Sequence, residues 1–130
     1  MASVEPTSEQ LQRFASAPDD GPVVMLNLLR YADVASDGSG RTGREAYGEY
    51  GAAVVPMVVA RGGSIELMGE VAPSLIAPSD EEWDDVVLIR YPSRAAFLDM
   101  VMSDEYRAVQ HHRTVALADS RLLPVRRLDA

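Results

Sequence analysis

One amide side chain interrupts an apolar run near the start of the chain, and its position suits it to orient a bound molecule. Asn27 is the only polar residue in the segment 23–29. Burying an amide without hydrogen-bond partners costs about 1–3 kcal/mol, so the Asn27 side chain is expected to have such partners. Two roles are open: a ligand-orienting amide in an apolar pocket, or a core amide satisfied by the neighbouring backbone or by water.

Aromatic side chains supply further groups that a binding site uses. Tyr47 and Tyr50 are three positions apart, so on a helix they share one face and present two hydroxyls over one end of a sheet. Trp83 stands beside two aspartates at the start of an apolar segment, where it lines the mouth of a pocket in the functional interpretation. Packing alone is the alternative for all three residues.

Three arginines are candidates for holding an anionic group. Arg30, Arg90 and Arg113 each carry a planar guanidinium that matches the two oxygens of a carboxylate. Glu66 and Glu70, which share one face of a predicted strand, are alternative partners for these cations. Structural ion pairing is therefore the competing interpretation.

The two histidines are adjacent, which limits what they can bind. Neighbouring residues on a helix point about 100° apart, so His111 and His112 are not expected to chelate one metal ion together. Either one alone suits proton transfer or axial ligation of haem. The sequence has no zinc signature, no phosphate-binding glycine loop and no recognisable catalytic triad, so no metal site is predicted.

Composition excludes several classes of function. The chain has 130 residues, 47% of them hydrophobic and 25% charged, as in a single soluble globular domain spanning 1–130. Its formal net charge of −8 opposes binding to nucleic acid or to acidic membranes. All 12 basic residues are arginine and cysteine is absent, which excludes lysine Schiff bases, disulfides and thiolate chemistry. The N-terminus lacks a signal-peptide pattern and the apolar run 50–60 is well short of the about 20 residues that span a bilayer, so we expect a cytoplasmic protein.

Periodicity predicts alternating strands and helices. After a short leading helix, the predicted elements are a strand at 23–29, a helix at 44–61 bent at Pro56, strands at 64–71 and 83–91, helices from Ser93 and over 104–118, and a strand at 121–125. This order is a ferredoxin-like split β-α-β repeat, of class α+β, with a four-stranded antiparallel sheet. Pro124 places the last strand at an edge. The leading helix covers 8–16 and the core 22–125.

One face of this sheet lacks a cover. The helices of a ferredoxin-like fold lie on one face, yet the first and third predicted strands are apolar on both. Soluble monomers rarely expose so large an apolar patch. We therefore expect a homodimer through the sheet faces, the alternative being that the leading helix and the loop 71–82 cover the second face.

Several short motifs in this order resemble the family Domain of Unknown Function 1330. The resemblance covers about 22–125, and its motifs are the apolar run 24–29, Tyr47-x-x-Tyr50, Pro56, Gly62-Gly63, Arg90-Tyr91-Pro92-Ser93, Ser103-Asp104-Glu105-Tyr106, Arg113 and Ala116-Leu117. The resemblance implies the dimeric α/β-barrel superfamily, in which two ferredoxin-like subunits join their sheets. It brings no established activity, so whether the protein is an enzyme stays open.

Three functional hypotheses follow. The first is a protein that binds a small apolar molecule, bearing a carboxylate or carbonyl, between sheet and helices. Its candidate ligand-binding residues are Met25, Asn27, Tyr47, Tyr50, Met68, Ile89, Arg90 and Arg113. The second is a cofactor-free or haem-using monooxygenase or isomerase with Asn27, Trp83 and His111 or His112 as its catalytic set, residue types that such branches of the superfamily use. The third is a structural or regulatory dimer without a ligand. No cofactor is expected under the first hypothesis.

Overall fold

Four strands form a single antiparallel sheet that carries the helices on one side. The computed structural model of the chain describes residues 2–18 and 21–128. Its elements are α1 (Ser8–Ser16), β1 (Val23–Tyr31), α2 (Gly43–Ala60), β2 (Ser64–Glu70), β3 (Asp85–Tyr91), α3 (Arg94–Val101), α4 (Asp104–Ala116) and β4 (Leu117–Val125). The strand order is β2-β3-β1-β4, which is that of the ferredoxin-like fold. The predicted α+β class and the central positions of β1 and β3 are confirmed.

Short-range capping determines where α2 begins. The Thr42 hydroxyl accepts a hydrogen bond from the Glu45 amide, and the Glu45 side chain accepts one from the Thr42 amide, which is a capping box. Gly43 follows in tight contact with the backbone of Ala32 and Ala116, where a Cβ would overlap both carbonyl oxygens. The first turn of α2 is thereby seated against β1 and the end of α4. The helix is continuous through Pro56.

Two predicted boundaries differ from the structure because tertiary contacts move them. β3 begins at Asp85 and not at Trp83, since the Asp84 carboxylate caps the end of β1 by accepting from the Tyr31 amide at 2.8 Å. β4 begins at Leu117 and α4 ends at Ala116, because the ladder with β1 continues as far as Tyr31 opposite Leu117. A strand can be extended in this way by a long partner strand, which local propensity does not reveal.

A bulge in β2 overturns the predicted alternation of its side chains. Strict alternation along the predicted strand 64–71 would place Leu67 on the same face as Ile65 and Met68 on the other. The register instead shifts between Ile65 and Leu67, so that Ile65 pairs with Ile89 while Met68 pairs with Val87. One extra residue, Glu66, reverses the parity of all that follow. Ile65 and Met68 therefore share the face that also carries the helices.

The hydrophobic core lies between the sheet and the helices. The residues of β1 that point to the helices, Val23, Met25, Asn27 and Leu29, are all buried. They pack with α2 and α4 through two clusters whose helical members include Tyr50, Val54, Val58, Tyr106 and Ala116. The face of β1 that carries Asn27 is therefore the one that the helices cover.

The opposite side of the sheet, here called the open face, carries a continuous apolar surface. By the strand register it consists of Val24, Leu26, Leu28, Leu67, Val86, Leu88, Leu123 and Val125, with Arg30, Arg90 and Arg121 toward its ends. Neither the leading helix α1 nor the loop 71–82 buries this face. α1 packs on α3 through an edge-to-face contact of Phe14 and Phe97 at 5.3 Å, and the tip of the loop after β2 holds Leu75 and Ile76 in solvent, 97% and 93% exposed.

Candidate functional site

One row of side chains crosses the sheet from solvent to the core beneath the helices. Met68, Val87 and Asn27 are successive neighbours across β2, β3 and β1. Met68 is 68% exposed, whereas Val87 and Asn27 are each 7% exposed. The layer of helices therefore ends before it reaches β2. We call this strip at the edge of the layer of helices the β2 ledge; it comprises the exposed residues Met68 and Glu70 of β2 and their less exposed partners Val87 and Asp85 of β3.

The nitrogen of the Asn27 amide is bonded to the backbone. Its Nδ2 donates to the carbonyl oxygens of Met25 and Val87, both at 3.3 Å. These two bonds use both hydrogens of the amide nitrogen. The nitrogen therefore behaves as that of a core amide, whereas no described residue donates to Oδ1 of Asn27.

The tyrosine hydroxyls of α2 point into the protein. The Tyr50 hydroxyl lies 3.0 Å from that of Tyr106, and the Tyr47 ring lies between those of Tyr31 and Tyr50, at 5.6 and 5.3 Å. Burial raises the pKa of Tyr50 well above its usual value, and Tyr106 adds to the shift. Burial also raises the pKa of Tyr47, with Arg113 opposing. Both phenols therefore stay neutral, and Tyr50 already has a partner.

A carboxylate that the sequence analysis did not select lies at the end of the ledge. Asp85 Oδ2 accepts hydrogen bonds from the Tyr31 hydroxyl at 2.7 Å and from Arg44 Nη1 at 2.9 Å. The Arg44 guanidinium also stacks on the Tyr31 ring, 4.6 Å from its centre. Burial and then the bond to Asp85 raise the pKa of Tyr31. The other oxygen, Asp85 Oδ1, is buried and has no hydrogen-bond partner among the described residues.

The alternation of side chains along a strand could have indicated Asp85 from the sequence alone. It precedes Val87 by two residues, so the two share a face of β3. An acidic residue on the helix side of a central strand needs partners. What the sequence does not show is that Tyr31 and Arg44, from two other elements, supply them.

The predicted ligand-binding residues divide between the two faces of the sheet. Met25, Asn27, Tyr47, Tyr50, Met68, Ile89 and Arg113 lie on the helix side. Arg90 lies on the open face beside Val24 and Ser64, because it alternates with Ile89 along β3. Arg113 donates to the carbonyl oxygen of Val4 at 2.6 Å. The sheet therefore separates Arg90 from the other predicted ligand-binding residues.

The predicted catalytic set is not brought together. Trp83 packs on the open-face side, with the Arg121 guanidinium 5.1 Å from its ring centre. These two residues line a surface cleft of about 480 Å³ together with Arg30, whereas Asn27 lies beneath the helices. His112 Nδ1 is 3.1 Å from Arg41 Nη1; because arginine only donates, this nitrogen is an acceptor.

Two classes of site are absent from the described part of the chain. No group of three or more histidine, aspartate or glutamate side chains among residues 2–18 and 21–128 is arranged to hold a metal ion. Within the same residues, no helix combines the length and apolar character needed to cross a membrane.

The rings of His111 and His112 lie 4.0 Å apart, centre to centre. The two rings are therefore closer to each other than their neighbouring positions on a helix predicted.

Comparison with known proteins identifies the family. Residues 41–126 match the model of the family described as Domain of unknown function (DUF1330). The chain belongs to this family. A protein of unknown function from Rhodopseudomonas palustris is 37% identical to this DUF1330 protein over 100% of both chains, with a TM-score of 0.95. No curated protein matches it.

More distant structures share only the fold with this DUF1330 protein. A dabb family protein with a ferredoxin-like fold from Mesorhizobium loti is 10% identical over 85% of this chain and 100% of its own, with a TM-score of 0.55. A dimeric ferredoxin-like protein of unknown function from Thermobifida fusca is 14% identical over 81% and 90%, with a TM-score of 0.50. The segment matched by the family model begins after β1, so it contains Arg44, Met68 and Asp85 but not Asn27.

Proposed function

We propose that this DUF1330 protein binds a small, largely apolar molecule on the β2 ledge. The observation that carries the proposal is the exposure of Met68, which shares a row with two buried residues and has no helix above it. Small-molecule sites combine an apolar wall with a few convergent polar groups. Met68 and Val87 supply the wall, and Arg44 and Asp85 supply polar groups at its end.

A neutral apolar dye tests this proposal. The fluorescence of Nile red rises when it leaves water for an apolar surface, so a titration measures its dissociation constant. We expect Met68→Glu to weaken binding at least tenfold, because the charge makes the ledge polar. Met102→Glu is the matched control, since Met102 is 57% exposed on another surface. Equal binding by both variants, or none by the natural protein, would rule out the ledge as the site.

We also propose that the protein is a homodimer of the dimeric α/β-barrel type, with the open face of each copy covering that of the other. The strand register places one acidic side chain on this face, Asp119, at its end opposite Arg30. Asp119 is paired with Arg121 at 2.8 Å, and the apolar centre of the face carries no acidic strand residue. Two copies can therefore meet there without bringing like charges together at the centre. Burial of Leu26, Leu28 and Leu88 contributes about 25 cal/mol per Å² of apolar surface removed from water.

Sedimentation velocity at micromolar concentration measures the assembly directly. We expect the natural protein to sediment as a dimer and Leu123→Glu to sediment as a monomer. Leu123 is 49% exposed in the single chain, so this variant is expected to fold. Val59→Glu, at an exposed position of α2, is the control and should remain dimeric. A monomeric natural protein would overturn the proposal.

Asn27 and Trp83 lie on opposite sides of the sheet, so the residues proposed for a monooxygenase or isomerase do not form one site. His111 is exposed and His112 is bonded to Arg41, so neither is at the ledge. Titration with haem tests the haem branch: no Soret shift on addition of one equivalent would exclude it. A dimer that binds neither haem nor Nile red would support the third hypothesis, a structural or regulatory role.

A further inference from the structure

We propose that Asp85 Oδ1 is the polar anchor for the molecule bound on the β2 ledge, and that this molecule is neutral and carries a hydroxyl group that donates to this oxygen. The inference rests on the proposed function and names the chemical class of its ligand. Its geometric basis is the unequal state of the two carboxylate oxygens: Oδ2 accepts from Tyr31 and Arg44, while Oδ1 is buried with no donor among the described residues.

A buried acceptor without a donor is unusual in a native protein. About nine in ten or more buried polar groups have a partner, and each exception has a cause such as strain, a functional role, or a bound water or ion. Here the Tyr31 hydroxyl orients the carboxylate through Oδ2 at 2.7 Å, a bond that does not depend on Arg44, and the side chain is only 17% exposed. Oδ1 is therefore oriented in advance, and a hydroxyl that reaches it gains a charge-assisted hydrogen bond.

The surroundings of Asp85 decide between classes of ligand. Glu70 is its cross-strand neighbour on the same face, so a ligand carboxylate would meet two negative charges with Arg44 as the counter-charge. This argues against the carboxylate-bearing ligand expected from the sequence. An ether or a ketone brings no donor and leaves Oδ1 unpaired. A phenol or an alcohol supplies a hydrogen-bond donor for Oδ1, and its apolar part packs against Met68 and Val87.

Access to the oxygen runs past a movable side chain. Arg44 donates to Asp85 Oδ2 at 2.9 Å, but its own side chain is 58% exposed, and it belongs to the first turn of α2. A long exposed arginine changes rotamer on the nanosecond timescale. Ligand entry therefore requires no movement of the backbone.

The test compares 4-ethylphenol with 4-ethylanisole, its methyl ether, which lacks the donor. Both are titrated into the natural protein and followed by amide chemical shifts in two-dimensional NMR. We expect shifts at Met68 and Val87 with both compounds and about tenfold tighter binding of the phenol, the ratio that corresponds to one hydrogen bond to a charged group. This comparison needs no variant, so it cannot fail through misfolding.

Asp85→Asn is the decisive variant. The amide oxygen keeps the bonds from Tyr31 and Arg44, which places the NH₂ group where Oδ1 was and turns an acceptor into a donor. We expect the preference for the phenol to disappear, because the oxygens of the phenol and of the anisole can both accept from this NH₂ group. Glu66→Gln removes a negative charge from the exposed bulge of β2, outside the ledge, and should leave the phenol-to-anisole ratio unchanged.

The outcomes separate this inference from the proposed function. Equal affinities of phenol and anisole, with shifts at Met68 and Val87, would overturn the role of Asp85 while leaving the ledge as the site. No shifts at these residues with either compound would overturn the proposed function itself. A phenol preference that Asp85→Asn retains would likewise refute Asp85 as the acceptor.

Discussion

At the scale of single residues, the side chains chosen for their chemistry are mostly committed to the fold. Asn27 donates to two carbonyl oxygens of β1 and β3, and Tyr50 is paired with Tyr106. These groups satisfy one another because burial makes an unpaired polar atom costly. Asp85 Oδ1, which has no such partner, is the exception that points to a ligand.

Asn27→Leu tests the structural role of the amide. Both bonds of Asn27 are long, at 3.3 Å, and the leucine side chain adds apolar surface to the core. We expect the free energy of unfolding to change by less than about 1 kcal/mol, measured by urea denaturation, and the affinity for Nile red to stay the same. A loss of dye affinity in a folded variant would return Asn27 to the binding site.

At the scale of elements, the position of α2 depends on a close approach of backbones. Gly43 sits where any side chain would overlap the carbonyl oxygens of Ala32 and Ala116. The strand register has a comparable dependence on one residue, since the bulge at Glu66 places Met68 on the helix side. Both features position the ledge: α2 brings Arg44 to Asp85, and the bulge brings Met68 beside Val87.

Gly43→Ala is expected to destabilise the protein strongly. The added methyl group forces α2 away from β1, and we expect the free energy of unfolding to fall by about 2–4 kcal/mol, as for an overpacked core. Urea denaturation measures the change. Gly48→Ala, in the middle of the same helix with no atom near its Cβ, is the control and should stabilise by about 0.5–1 kcal/mol. Equal effects of the two variants would contradict the close packing.

At the scale of the whole molecule, the buried tyrosines make stability depend on pH in the alkaline range. Burial is the main cause of the raised pKa of Tyr31, Tyr50 and Tyr91. Above pH 10 the unfolded chain loses phenolic protons that the folded chain retains, so the unfolded state binds fewer protons. Stability is therefore fully present below about pH 10, the ordinary tyrosine pKa, and falls as the pH rises above it.

Urea denaturation between pH 8 and pH 11.5 measures this dependence. We expect a flat profile up to pH 10 and a decline beyond it. Tyr91→Phe should reduce the slope of the decline, since Tyr91 is buried and its raised pKa arises mainly from that burial. A decline beginning near neutral pH, or an unchanged slope in the variant, would contradict the assignment.

The ferredoxin-like topology was predictable from local pattern because its determinants lie close together in sequence. Apolar runs identified β1 and β3 as central, Pro124 identified an edge, and Ser93 marked the start of a helix. Each of these signals acts within a few residues, through hydrogen bonding or steric exclusion at the backbone. The unequal cover of the two sheet faces followed from the same order of elements.

Tertiary structure alone decided which polar groups are free. The register between strands and the seating of α2 bring Tyr31, Arg44 and Asp85 together from positions 31, 44 and 85, and they place Arg90 on the face opposite Asn27. A one-residue bulge changes which face a side chain occupies, and a hydrogen bond depends on atoms a few ångströms apart. The spacing of residues along the chain does not determine distances between atoms of different elements, so the candidate site is defined only by the tertiary structure.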